Sequence, residues 1–125
     1  MPTSSETVHV LVVDDSVEMA DMIADDLRAR GYGATAASSG REALLILQTE
    51  RVDALVTDLR MPEMDGLDLL RASKGLDPSR PVIVMTAYST IDTAMEATGS
   101  GAFQYLMKPF RLDALARLLE QALKR

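Results

Sequence analysis

In Asp53-Ala54-Leu55-Val56-Thr57-Asp58-Leu59-Arg60-Met61-Pro62-Glu63-Met64-Asp65-Gly66 a short apolar run meets a carboxylate and then breaks. Residues 54–57 are a buried-type run too short for a helix, and Pro62 prevents any helix from continuing through Met61. The stretch predicts a short strand that ends in a carboxylate, Asp58, and then turns. An aspartate there either opens the turn, as Asp commonly does, or meets a ligand, because parallel sheets bind ligands at the carboxyl ends of their strands. Both readings stand on this stretch alone.

Working outward, residues 8–13 (Val-His-Val-Leu-Val-Val) are β-branched and almost wholly apolar, the pattern of a central strand covered on both faces. This run ends in Asp14-Asp15. Ser16 offers a helix N-cap, Met19, Ile23 and Leu27 recur at four-residue spacing, and Gly31 stops that helix. An alanine-rich strand is predicted over 33–37, weak on propensity. Ser39 and Glu42 then fit a capping box before a helix built on Ala43, Leu44 and Leu47. After Asp58 and its loop, a helix is predicted over 65–74 with Leu67 and Leu70 inward and Gly75 at its end. Residues 81–85 form another apolar strand, which delivers Thr86. The helical pattern over 90–98 runs into Gly99-Ser100-Gly101, and each glycine inside a helix costs about 1 kcal/mol relative to alanine, so this helix is expected to be the least stable. A last strand over 103–107 precedes Lys108-Pro109, and an amphipathic helix over 111–124 carries Leu115, Leu118, Leu119 and Ala122 inward.

Strand then helix, five times, implies a parallel sheet with right-handed crossovers and helices on both faces. A closed eight-unit barrel needs about 250 residues, and the chain has 125. The expected fold is an open, doubly wound five-stranded α/β sheet: residues 1–7 form a flexible N-terminus and 8–125 a single domain. The absence of cysteine excludes disulfides and thiolate zinc sites. No apolar run approaches bilayer length and the N-terminus lacks the regions of a signal peptide, so a cytoplasmic protein without membrane contact is expected. The net charge is −6, and no basic cluster or aromatic platform tracks a phosphate backbone, which argues against direct nucleic-acid binding. The single histidine, His9, lies in the first strand and reads as a surface or edge residue rather than a catalyst.

Asp14-Asp15, Asp58, Thr86 and Lys108 therefore end four strands on one edge of the sheet. At 4 Å and an effective dielectric near 20, two carboxylates repel by about 4 kcal/mol, so either one is protonated or a cation neutralises them. A hard divalent ion with oxygen ligands fits, and Mg²⁺ keeps positions for water and phosphate oxygens. Nucleophile, metal, ammonium and hydroxyl together suit attack of a carboxylate on phosphorus, giving an aspartyl phosphate. The bland alternatives are a metal site for stability only, or acidic turns that happen to share an edge.

Leu11-Val12-Val13-Asp14-Asp15, the run from Thr57 to Gly66, Val84-Met85-Thr86-Ala87 and Tyr105-Leu106-Met107-Lys108-Pro109-Phe110 resemble the receiver domain of two-component response regulators, and the resemblance spans residues 8–123. It implies a flavodoxin-like sheet of order 2-1-3-4-5. It further implies that Asp58 is the phosphoacceptor and that Asp15, Asp58 and the Arg60 carbonyl bind Mg²⁺, with Asp14 acting through water. Thr86, Ala87, Leu59 and Lys108 are expected at the phosphoryl group, with a cis bond before Pro109 and with Thr86 and Tyr105 as the switch pair. The implied partners are a sensor histidine kinase or phosphotransfer protein and a C-terminal effector domain, with a homodimer through the fourth helix, fifth strand and fifth helix. Residues 85–94 with 101–106 are similar to receivers of nitrogen-regulation-type, sigma-54-dependent transcriptional activators. Arg111 departs from the family pattern by placing a cation at a helix N-terminus, which the dipole disfavours and Asp113 offsets. Met107 is bulkier than some residues found before the lysine. The competing class is a Mg²⁺-dependent aspartyl-phosphate phosphatase or phosphotransferase. Such enzymes commonly carry a second acid two residues after the nucleophile and a lid, whereas here that position is Arg60 and no insertion is long enough. An inert binding module is the third reading.

Overall fold

Five apolar runs, each too short for a helix, become five strands: β1 (His9–Val13), β2 (Gly33–Ala37), β3 (Ala54–Asp58), β4 (Val82–Thr86) and β5 (Gln104–Met107). Helices alternate with them: α1 (Val17–Ala29), α2 (Gly40–Thr49), α3 (Gly66–Leu76), α4 (Ile91–Gly99) and α5 (Leu112–Leu123). The computed structural model describes residues 7–87 and 91–124, the side chains of 91–93 excepted. The expected flexibility of the first six residues and the helix start at Thr90 lie outside the described residues.

All strand pairs are parallel and the order is β2-β1-β3-β4-β5. Side-chain alternation along the strands builds two cores. Leu11, Val13, Leu55, Val82 and Val84 pack under α2, α3 and α4, through Leu47, Leu69, Leu70 and Ala97. Val10, Val12, Val56, Ile83 and Met85 face α1 and α5, through Ile23, Leu27, Leu115 and Leu119. Full burial of each such side chain contributes about 1.5–3 kcal/mol. His9 is exposed at the start of β1, a central rather than an edge strand, and its ring lies across Gly33, where a Cβ would come within 2.7 Å of it.

Several local signals differ from the expectation. Gly31 does end α1, in the left-handed region at φ +101° just beyond the helix. Gly75 does not end α3, because it stays helical and the helix continues to Leu76 before Asp77-Pro78 breaks it. At α2 the Ser39 hydroxyl accepts from the Glu42 amide (3.1 Å), but the Glu42 carboxylate accepts from the amide of Ser38 (2.9 Å), one residue before the expected partner. A reciprocal box does form at α3, between Asp65 and Asp68. Leu67, expected inward, is half-buried, and Leu69 takes the fully buried position beside Leu70.

Candidate functional site

Parallel strands bring their carboxyl ends to one edge, and the order places β1 between β2 and β3. Asp14 and Asp15 leave β1 next to Asp58 at the tip of β3, and a carboxylate oxygen from each of the three lies within 4.8 Å of the others. Asp14 and Asp58 are buried and Asp15 is exposed. Lys108 follows β5, with its Nζ donating to Asp14 Oδ2 at 2.7 Å and lying 3.5 Å from Asp58 Oδ1. The other Asp14 oxygen accepts from the Ser16 amide at 2.9 Å. Thr86 is fully buried at the end of β4, and Ala87 is exposed just beyond it. The Lys108-Pro109 peptide bond is cis.

Burial, then the negative charge of Asp14, pushes the Asp58 carboxyl up to about 6, against the opposing pull of Lys108. Burial works against the Lys108 ammonium, yet the hydrogen bond to Asp14 and the charges of Asp14 and Asp58 together hold its pKa above the ordinary lysine value. Three carboxylates facing one ammonium leave an excess of negative charge in a partly dry pocket. The donor set, all oxygen with one exposed carboxylate, fits a hard divalent cation of the size of Mg²⁺.

The loop from β3 to α3 is closed by the Gly66 amide, which donates to the Leu59 carbonyl at 2.8 Å, and Met61 is buried beneath it. A Cβ on Gly66 would collide with the Asp58 carbonyl oxygen and the Leu59 backbone, so only glycine lets α3 start this close to the strand tip. Leu59 is buried and its amide donates to the Met85 carbonyl at 2.7 Å, because the β3–β4 ladder runs one residue past Asp58. Leu59, expected at the phosphoryl group, therefore has its backbone amide bonded into the sheet. Arg60 is exposed at the loop's start. Tyr105 is half-buried on β5 beside the core under α2, α3 and α4, with Met107 exposed on the same strand. Arg111 caps α5 without a side-chain bond and pairs with Asp113 at 3.0 Å, which holds the Asp113 carboxyl below its ordinary range.

The burial of Arg80 was not anticipated from the sequence. Arg80 is buried and donates to the Val52 carbonyl (2.9 Å) and the Ser73 hydroxyl (2.9 Å) at the opposite end of the sheet from the acids. A basic residue between a turn and a strand carries no local mark of such burial.

The family model of the response regulator receiver domain matches residues 10–120. The chain belongs to that family. This receiver domain is 42% identical over 118 residues to the transcriptional regulatory protein ZraR of Escherichia coli K12, covering 94% of this chain and 27% of that protein. It is 38% identical over 116 residues to the regulatory protein AtoC of the same organism, covering 93% and 25%. The chain thus spans about a quarter of the length of these curated relatives. Among solved structures, the CheY-like receiver domain protein of Methanospirillum hungatei JF-1 superposes with a TM-score of 0.91 at 26% identity, over 94% of each chain. A Burkholderia pseudomallei response regulator, described with a phosphorylated aspartic acid, calcium ion and citrate, superposes at 0.84 with 32% identity, over 90% of this chain and 66% of that one. The receiver domain is a phosphoacceptor switch of two-component signalling. No helix among the described residues is long and apolar enough to cross a membrane.

Proposed function

We propose that this receiver domain takes a phosphoryl group from a phosphohistidine of a sensor histidine kinase or phosphotransfer protein onto Asp58, with Mg²⁺ as cofactor. The observation that carries this reading is the meeting of Asp14, Asp15 and Asp58 within 4.8 Å of one another under the Lys108 ammonium. Asp15, Asp58 and the Arg60 carbonyl would hold the ion. Asp14, whose oxygens already accept from Lys108 and Ser16, would act through a bound water. When bound, the ion supplies positive charge to the phosphoryl oxygens and lets all three carboxylates stay ionised.

An ionised Asp58 oxygen attacks phosphorus, the P–O bond forms as the P–N bond to the donor imidazole breaks, and the imidazole leaves with the electron pair and takes up a proton. Lys108 and the Thr86 hydroxyl, with the Ala87 amide, receive the phosphoryl oxygens, while Leu59 anchors the foot of the loop. Hydrolysis reverses the state: water attacks phosphorus and the Asp58 carboxylate leaves. The domain thus promotes only its own phosphorylation and dephosphorylation. Thr86, drawn to the phosphoryl group, and Tyr105 would pass the change to the α4-β5-α5 face, through which a homodimer would form. The Burkholderia pseudomallei relative, with its phosphorylated aspartic acid and divalent ion, supports the same chemistry here.

ZraR, named as a transcriptional regulatory protein, and AtoC, named as a regulatory protein, support a place for residues 8–125 as the receiver of a cytoplasmic, sigma-54-dependent regulator, followed by an effector domain. Any contact with DNA then belongs to the effector.

Incubation with Mg²⁺ and acetyl phosphate followed by intact mass measurement tests the reading. One phosphoryl mass should be added to the wild type and none to Asp58→Asn. An adduct that survives Asp58→Asn, or none on the wild type, overturns it, and rapid turnover of free phosphate esters would favour a phosphatase.

A further inference from the structure

Gly40 opens α2 directly after its N-cap Ser39, a position where alanine would favour the helix. Its backbone is not in the left-handed region, so conformation does not demand glycine there. Space does. A Cβ on Gly40 would lie 2.5 Å from the Met64 carbonyl oxygen and 2.8 Å from both Cβ and Cγ of Met64. The first of these contacts is with backbone, which cannot swing aside as a side-chain end can. Met64 belongs to the loop from Leu59 to Asp65, between Asp58 and α3, and that loop is held tightly elsewhere. The Gly66 amide closes it onto the Leu59 carbonyl at 2.8 Å, and Met61 is buried under it. Glu63 sits in the left-handed region at φ 66° and pairs with Arg41, the neighbour of Gly40, at 3.1 Å. The strand that leads into this turn, β2, also reaches the acids, because the Asp14 amide donates to the Ala37 carbonyl at 3.1 Å. The N-terminus of α2 therefore abuts the loop that carries Arg60 and continues from a strand bonded to Asp14.

We propose that Gly40 is a positioning residue for the metal side of the site: its missing Cβ lets α2 dock on the Met64 backbone and sets the loop that presents the Arg60 carbonyl. The proposal rests on the reading of Asp15, Asp58 and Arg60 as the Mg²⁺ site. Neither Gly40 nor Met64 touches the ion in this reading. A methyl group at Gly40 displaces the loop and moves one ligand relative to the two carboxylates, which lowers affinity for the ion without removing any ligand.

Mg²⁺ titration followed by the amide shifts of residues 58–66 tests this in wild type, Gly40→Ala, Gly75→Ala and the double variant. Gly75 has no atom within 4 Å of where a Cβ would stand, so Gly75→Ala stabilises α3 and guards against loss of folding in the Gly40 variant. Gly40→Ala should weaken Mg²⁺ about tenfold, alone and in the Gly75→Ala background, as loss of an outer-shell support commonly does. Gly75→Ala alone should bind as wild type does. Phosphorylation by acetyl phosphate in Gly40→Ala should recover when Mg²⁺ is raised, which a general loss of structure would not allow. A Mg²⁺ affinity within about twofold of wild type in the folded double variant overturns the proposal even if stability falls. Should neither Gly40 variant fold, Met64→Ala loosens the docking of α2 by removing the Cγ that packs on Gly40 while the Met64 carbonyl stays: weakened Mg²⁺ binding supports the proposal and unchanged binding overturns it. A wild type without saturable shifts at residues 58–66 overturns the metal reading itself, and the role of Gly40 with it, an outcome distinct from the others.

Discussion

In the proposed reaction Asp58 has two demands on one carboxyl group: it must be dry enough to exclude competing water and ionised enough to attack phosphorus. Burial and Asp14 raise its pKa from 3.8 to about 6 when no metal is present. The folded state then binds this proton more tightly than the unfolded state, so the contribution is fully present below about pH 4 and is lost as pH rises through 6. A shift of about two units corresponds to roughly 3 kcal/mol as an upper figure. In metal-free buffer Asp58→Asn should therefore be more stable than wild type to urea at pH 7.5, with the gap closing as pH falls toward 4. A gap that is independent of pH would refute the charge argument. Gly66 is a second single-residue constraint. Gly66→Ala forces a methyl group into the Asp58 carbonyl and the Leu59 backbone, and should cost at least about 2 kcal/mol, measured by urea unfolding. Arg80→Ala should cost a similar amount, roughly 2–3 kcal/mol, because the Val52 carbonyl and the Ser73 hydroxyl lose a buried donor. Acetyl phosphate should still label it, since Arg80 lies at the far end of the sheet from Asp58.

The elements differ in how firmly they are anchored, and α4 stands out. Of its described side chains only Ala97 is buried, Met95 is exposed, and the Arg71–Glu96 pair that ties α4 to α3 is half exposed on both sides. Exposed pairs of this kind contribute about 0–1 kcal/mol. Amides of residues 94–99 should exchange with solvent about two orders of magnitude faster than those of β1 and β3, and equal protection would contradict the reading of α4 as the mobile output element. The strands were legible in the sequence because each is a short apolar run bounded by charge, glycine or proline, and even alanine-rich β2 was placed correctly by alternation. Helix ends were less legible. A glycine stops a helix only if it turns left-handed, as Gly31 does and Gly75 does not, and that choice depends on the residues downstream of it. Asp65 read as the first helical residue, although it is the N-cap and α3 begins at Gly66. The site was legible as a set of strand ends, since alternation sends them all to one edge. The support from Gly40 and the commitment of the Leu59 amide to Met85 depend on packing between distant segments and leave no local mark.

For the whole molecule, sheet order converts sequence distance into charge density: Asp14 and Lys108 are 94 positions apart and meet at 2.7 Å. The two cores pack on β1 and β3 directly beneath the acids and keep the buried Asp14 and Asp58 side by side when no cation is present. Their repulsion is then carried as lost stability of the entire domain, and a cation that binds only the folded state returns it. Mg²⁺ at about a hundred times its dissociation constant should stabilise the protein by roughly 2.7 kcal/mol, read as a rise in melting temperature at pH 7.5. Asp15→Asn should abolish most of that rise at little cost to the fold, because Asp15 is the exposed member of the trio. Screening by ordinary salt is the competing cause, since a chain of net charge −6 gains from any cation. The two separate cleanly: screening acts on all the acids at once and would raise Asp15→Asn as much as wild type at matched ionic strength, whereas coordination requires the trio and fails when one member is neutral.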